Sequence, residues 1–159
     1  MVEVLVLYYS RTGRTDVLAN AVAEGARSVR GVTATVKRVD CATMYDFISC
    51  DAVAFGSPNY FGYMAGLMKT FFDTALSIRD KVTGKPAVAF TSGGSSSDTA
   101  LKSLENMIAS FKLEKAADGV AAQVDRAEKG PKEKDVAACK KLGEALAKAT
   151  VKRTEAPKD

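Results

Sequence analysis

Ser10-Arg11-Thr12-Gly13-Arg14-Thr15 sits where one hydrophobic pattern gives way to another. The apolar run Val2 to Tyr9 leads into it, and a helical pattern, Asp16 to Val29, leads out. It therefore reads as a strand-to-helix turn. Ser10, Thr12 and Thr15 carry hydroxyls, and Gly13 permits a positive φ. Taken alone, two readings fit. One is a helix N-cap with extra Ser and Thr. The other is a socket for a tetrahedral dianion such as phosphate. The first N–H groups of a helix lack intrahelical partners and carry the positive end of its dipole.

Composition narrows the field. The chain has 159 residues, enough for one domain with its own core. No apolar run approaches the ~20 residues of a membrane span. No basic, apolar, small-residue leader is visible, so the expected location is cytoplasmic. Cys41, Cys50 and Cys139 show no metal-ligand spacing and read as reduced thiols, with no metal site expected. There is no histidine, which excludes Ser-His-Asp and Cys-His catalysis and most zinc chemistry. No side chain is assigned a catalytic role. The net charge of +4 lies in residues 126–159, which hold ten Lys/Arg against six Asp/Glu. That region has no aromatic residue, so it reads as a solvated helix face rather than a nucleic-acid stripe. No nucleic-acid or membrane partner is expected.

Outward from the first turn, strands and helices alternate. Val32 to Val39 alternates as an edge strand does, and Ala42 to Ser49 reads as a short helix. Asp51 to Phe55 is a third strand, with a loop at Ser57–Tyr63 and a helix from Met64 to Leu76. Ala87 to Phe90 is a fourth strand, followed by the loop Thr91–Asp98 and a helix capped by Ser97 or Asp98. A weak fifth strand, Gly119 to Val124, precedes a last helix, Lys134 to Thr150. Such an order predicts an α/β doubly wound sheet of five parallel strands with helices on both faces. Residues 1–150 form one domain in this reading, and 151–159 a charged C-terminal tail.

In such a sheet the loops after strands 1, 3 and 4 share one edge, where ligands bind. The first is hydroxyl-rich, the second aromatic, the third glycine- and serine-rich. A ligand with a phosphate at one end and a flat, polar-edged ring at the other suits all three; flavin mononucleotide (FMN) is one. Ser10-x-Thr12-Gly13-x-Thr15 resembles the phosphate loop of flavodoxins. Gly56-Ser57-Pro58-x-Tyr60-Phe61-Gly62-x-Met64, running into Leu67-Met68-Lys69, resembles the second flavin loop of WrbA-type NAD(P)H:quinone oxidoreductases. The resemblance covers about 150 residues and implies a flavodoxin-like sheet of order 2-1-3-4-5. It implies that Ser10, Thr12, Gly13 and Thr15 hold the phosphate, with Arg11 contributing and Arg14 beside it. It also implies that Pro58, Asn59, Tyr60, Phe61 and Gly62 line the isoalloxazine ring. Thr91, Ser92, Gly93 and Gly94 would donate to the ring carbonyls or ribityl chain. Tyr60 and Phe61 also suit core or interface positions. Asp125 and Arg126 fall near the same edge.

Two departures shape the functional expectation. Thr91–Asp98 has no aromatic residue to stack on the ring, and the chain lacks the inserted segment and histidine of WrbA-type enzymes. The chain is expected to be an FMN-binding electron-transfer flavoprotein serving redox partner proteins. The alternative is an NAD(P)H:quinone oxidoreductase with quinone-like small acceptors, in which a second subunit of a homo-oligomer could cover the open ring face. A flavodoxin-fold module without redox function is the distant alternative. A receiver domain would need acidic residues where Tyr9-Ser10 and Gly56-Ser57 stand, and a dinucleotide fold would need G-x-G-x-x-G after strand 1.

Overall fold

The computed structural model describes residues 1–124 and 127–157; Asp125 and Arg126 lie outside the described residues. Strand β1 (Val2–Tyr8) is buried on both faces along most of its length, as its unbroken apolar run requires. It pairs in parallel with β2 (Val32–Arg38) on one side and β3 (Ala52–Pro58) on the other. β4 (Pro86–Gly93) pairs with β3. Two short segments, β5 (Glu114–Lys115) and β6 (Val120–Gln123), pair with successive parts of β4 along its outer edge. The order is β2-β1-β3-β4-β5, with every pairing parallel, as expected for a doubly wound sheet. The weak fifth strand is thus two pieces. Ala116 still donates to Ala87, and the chain then rejoins the ladder at Val120.

Alternation along each strand sorts side chains between two layers. Val4, Val6, Tyr8, Ala52, Ala54, Val88 and Phe90 face helices α1 (Arg14–Arg27) and α6 (Glu133–Glu155). Leu5, Leu7, Val53, Phe55, Ala87 and Ala89 face α2 (Met44–Ser49), α3 (Gly66–Ala75) and α5 (Ser97–Ser110). A 3₁₀ turn, Leu76–Ile78, and the one-turn helix α4 (Arg79–Val82) lead α3 into β4.

α1 and α6 touch backbone to backbone. A Cβ added at Gly25 would lie 1.9 Å from the Lys140 carbonyl oxygen, and one at Gly143 would lie 1.9 Å from that of Val22. The opposite layer is filled by phenylalanines: Phe47, Phe55, Phe71, Phe72 and Phe111 form one cluster, with Phe55 and Phe72 centroids 4.8 Å apart.

Several boundaries differ from the sequence pattern. β3 runs two residues past Gly56, and β4 three past Phe90, because Ser57 pairs with Thr91 and Pro58 with Ser92. Hydrophobicity ends where the ladder does not. α1 begins at Arg14 rather than Asp16. α6 continues five residues beyond Thr150, to Glu155; its first helix-incompatible residue is Pro157. α5 has Ser96 at its N-cap, with no side-chain cap from Ser97 or Asp98.

Candidate functional site

The C-terminal ends of β1, β3 and β4 are aligned by hydrogen bonds that prolong the ladder beyond the strands. Tyr9 N donates to Gly56 O (3.0 Å), Asn59 N to Ser92 O (2.7 Å) and Val124 N to Gly93 O (2.8 Å). The loops therefore leave the sheet together. Between them lies a cleft of about 460 Å³.

One end is the first turn. Gly13 is the N-cap of α1 with φ 89°, a left-handed conformation that a Cβ would strain. No side chain caps α1. Instead the Ser10 hydroxyl oxygen accepts from Gly13 N at 3.0 Å, folding the loop back on itself. Among the described residues, the N–H groups of Arg14, Thr15 and Asp16 meet no acceptor. Thr12 is exposed beside them, and Arg11 and Arg14 line the cleft. The Arg14 guanidinium donates to the Glu128 carbonyl (2.7 Å), tying α1 to the loop before α6. No carboxylate lines the cleft among the described residues. Unused donors, two cations and no carboxylate fit a phosphate and would repel a cation. The simple N-cap reading of this stretch fails, because no side chain takes the first-turn amides.

Thr15 and Ser92 join this end to the next. Both are buried, and their hydroxyls are 2.8 Å apart. Their neighbour Thr91 goes elsewhere. Continuing the alternation of β4, Ala87, Ala89 and Thr91 face one layer and Val88, Phe90 and Ser92 the other. Thr91 is fully buried and bonds Ser97 with its hydroxyl (2.9 Å to the carbonyl), so it does not line the cleft. Expecting it to donate to a ligand is corrected by strand alternation.

The other end carries Pro58, Asn59, Tyr60, Gly93 and Gly94. Tyr60 to Tyr63 is a tight hairpin: Tyr60 N donates to Tyr63 O (2.9 Å) and Tyr63 N to Tyr60 O (3.1 Å). Phe61 (φ 56°) and Gly62 (φ 77°) supply the two positive φ values that a type I′ turn demands. The turn throws Phe61 into solvent, fully exposed, so neither it nor Gly62 lines the cleft. The Asn59 side chain pins this hairpin, accepting from Gly62 N (2.8 Å) and donating to the Ser96 hydroxyl (2.7 Å). Tyr60 stands edge-on to Tyr9, and its hydroxyl is enclosed without a partner among the described residues. Burial pushes its pKa above the ordinary tyrosine value; nearby Tyr9 adds to this and Arg11 opposes it.

Of the residues read from sequence, the structure brings Arg11, Thr12, Arg14, Thr15, Pro58, Asn59, Tyr60, Ser92, Gly93 and Gly94 to one cleft. Ser10 and Gly13 shape the loop from behind it. Sequence reading missed Val124, a lining residue whose signal was its place at the end of the fifth strand. It also missed Arg38, whose guanidinium holds the Ser10 carbonyl at the start of the first loop.

The flavodoxin family model matches residues 6–138. A flavodoxin of Aquifex aeolicus (strain VF5) is 41% identical over 115 residues, 70% of this chain and 62% of that one. The chain thus spans less than two thirds of the length of that relative. Among solved structures, a flavodoxin from the domain Archaea superposes with TM-score 0.80 at 22% identity, covering 94% of this chain and 99% of that one. A flavodoxin, WrbA-like protein from Agrobacterium tumefaciens gives 0.81 at 22%, covering 96% and 99%. Rubredoxin oxygen:oxidoreductase from Desulfovibrio gigas gives 0.82 at 21%, covering 97% of this chain but 37% of that one. At such identities the superpositions speak for the fold alone.

Proposed function

The chain belongs to the flavodoxin family, whose members bind FMN, and from that premise we propose that it is an FMN-dependent electron carrier between redox partners. The observation that carries this reading is the first turn of α1: its amides meet no acceptor among the described residues, and hydroxyls and arginines surround them at one end of a cleft whose other end is aromatic and glycine-lined. When bound, FMN supplies reversible electron uptake and release.

The residues of this chain supply binding and orientation. Thr12 and the first-turn amides donate to the phosphate, and Arg11 and Arg14 offset its charge. Thr15 and Ser92 hold the phosphate loop against β4. Pro58, Asn59 and Tyr60 would bound the ring, with Gly93, packed against the Asn59 side chain, and Gly94 lining the same end without side chains of their own. No helix among the described residues is long and apolar enough to cross a membrane.

Titration of the flavin-free protein with FMN and with riboflavin, followed by fluorescence quenching, tests this. Thr12→Val is expected to weaken FMN roughly tenfold, the loss of one hydrogen bond to a charged group, and to leave riboflavin nearly unchanged. Equal losses would reject the phosphate assignment, and no uptake of either flavin would reject the cofactor. Sustained NAD(P)H oxidation with a benzoquinone would replace the carrier reading by that of a quinone reductase. The absence of aromatic residues from 91–98 makes that assay worth running.

A further inference from the structure

We propose that Arg38 is the positioning residue that couples the two ends of the flavin cleft, holding the phosphate loop by its first carbonyl and the tyrosine wall through Tyr9. The proposal rests on the flavin reading above. Arg38 is the last residue of the edge strand β2, outside all three loops, and lines no part of the cleft.

Its guanidinium makes three contacts in different directions. Nη1 donates to the Ser10 carbonyl at 2.8 Å. Nε donates to Asp40 Oδ1 at 3.2 Å, which anchors the group from the solvent side. Its carbon lies 5.4 Å from the centre of the Tyr9 ring. Tyr9 in turn stands edge-on to Tyr60, with centroids 6.3 Å apart and planes at 72°. One planar cation thus reaches the entrance of the phosphate loop by a hydrogen bond and the ring end through an edge-to-face tyrosine pair.

The hydrogen bond orients a peptide. In a trans peptide the carbonyl and the following N–H point in opposite directions. Tying the Ser10 carbonyl to Arg38 turns the Arg11 N–H away from Arg38, where it has no acceptor among the described residues. That leaves one more donor at the start of the loop that faces the phosphate. A lysine cannot reproduce this. Its ammonium is a point donor and cannot hold the carbonyl and Asp40 while also sitting over the Tyr9 ring.

The test is a pair of titrations, FMN and riboflavin, on the full chain carrying Arg38→Met or Arg38→Lys, with thermal unfolding of each flavin-free variant alongside. Both variants are expected to weaken FMN about tenfold and riboflavin less, so that the FMN-to-riboflavin preference falls about threefold. Three results would overturn the proposal. Restoration by lysine would reduce Arg38 to its charge. Equal weakening of both flavins in step with a lower unfolding temperature would make it an ordinary structural contact. Unchanged affinities would leave it no role in the site. A wild-type protein that takes up no FMN would instead remove the cofactor reading, and that is seen before any variant is made.

Discussion

The two layers that cover the sheet are built on opposite principles, and each carries one end of the cleft. The α1/α6 layer is thin. Alanines and valines line it, and Gly25 and Gly143 let two helices meet backbone to backbone. The α3/α5 layer is thick, with a cluster of phenylalanines between sheet and helices. The phosphate loop opens α1, so the thin layer positions it. A 1.9 Å clash on adding one methyl at Gly25 or Gly143 shows how tightly the C-terminal half of α1 is fixed against α6. The hairpin at Tyr60–Tyr63 precedes α3 and belongs to the thick layer, where ring packing gives affinity for apolar surface and tolerates small shifts. A dianion needs donors at set distances, whereas a flat ring needs a wall. The layers match those needs.

Three measurements test this contrast between the layers. The largest effect is expected from Phe72→Ala. Its ring is 1% exposed and packs on Phe55, Phe71 and Phe111. Urea unfolding should register a loss of about 3–5 kcal/mol, with the FMN-to-riboflavin preference unchanged. A changed preference would show that the thick layer also sets the phosphate loop. Gly143→Ala comes next, at about 1–3 kcal/mol for forcing a methyl between two helix backbones. Because the displaced helix pair includes α1, FMN should suffer more than riboflavin. If the flavins suffer alike, α1 is not held by α6. The smallest effect belongs to Tyr60→Phe. Removing an enclosed hydroxyl with no partner among the described residues should leave the flavin-free protein as stable as before, or more stable by up to about 1 kcal/mol. A clear loss of stability in urea would mean the hydroxyl is bonded within the fold.

How far the sequence could be read depends on the kind of signal. β1 was legible because a run buried on both faces leaves no alternation to confuse. The turn at Ser10–Thr15 was legible as a position, since strand and helix periods change across it. The ends of β3 and β4 were not legible. Ser57, Pro58 and Thr91 to Gly93 look like loop by composition, yet pairing with each other keeps them in the ladder. That error had a cost at Thr91. Once the strand is carried to Gly93, period-two alternation sends Ser92 toward Thr15 and Thr91 toward Ser97. The hairpin at Phe61-Gly62 was hidden because phenylalanine is not a residue that φ > 0 selects. Arg38 carried no local signal: its meaning comes from β2 lying beside β1 in the sheet, which brings it against Ser10 and Tyr9.

The class of sheet, the succession of its elements and the three loops that meet at one edge are all readable from residue order. Those follow from periodicity and from the handedness of parallel connections, which are properties of short stretches. Which side chain in each loop faces the cleft is set by the packed fold. That choice depends on strand register and on two helices in backbone contact. Both are relations between residues far apart in the chain, and no window of sequence contains them.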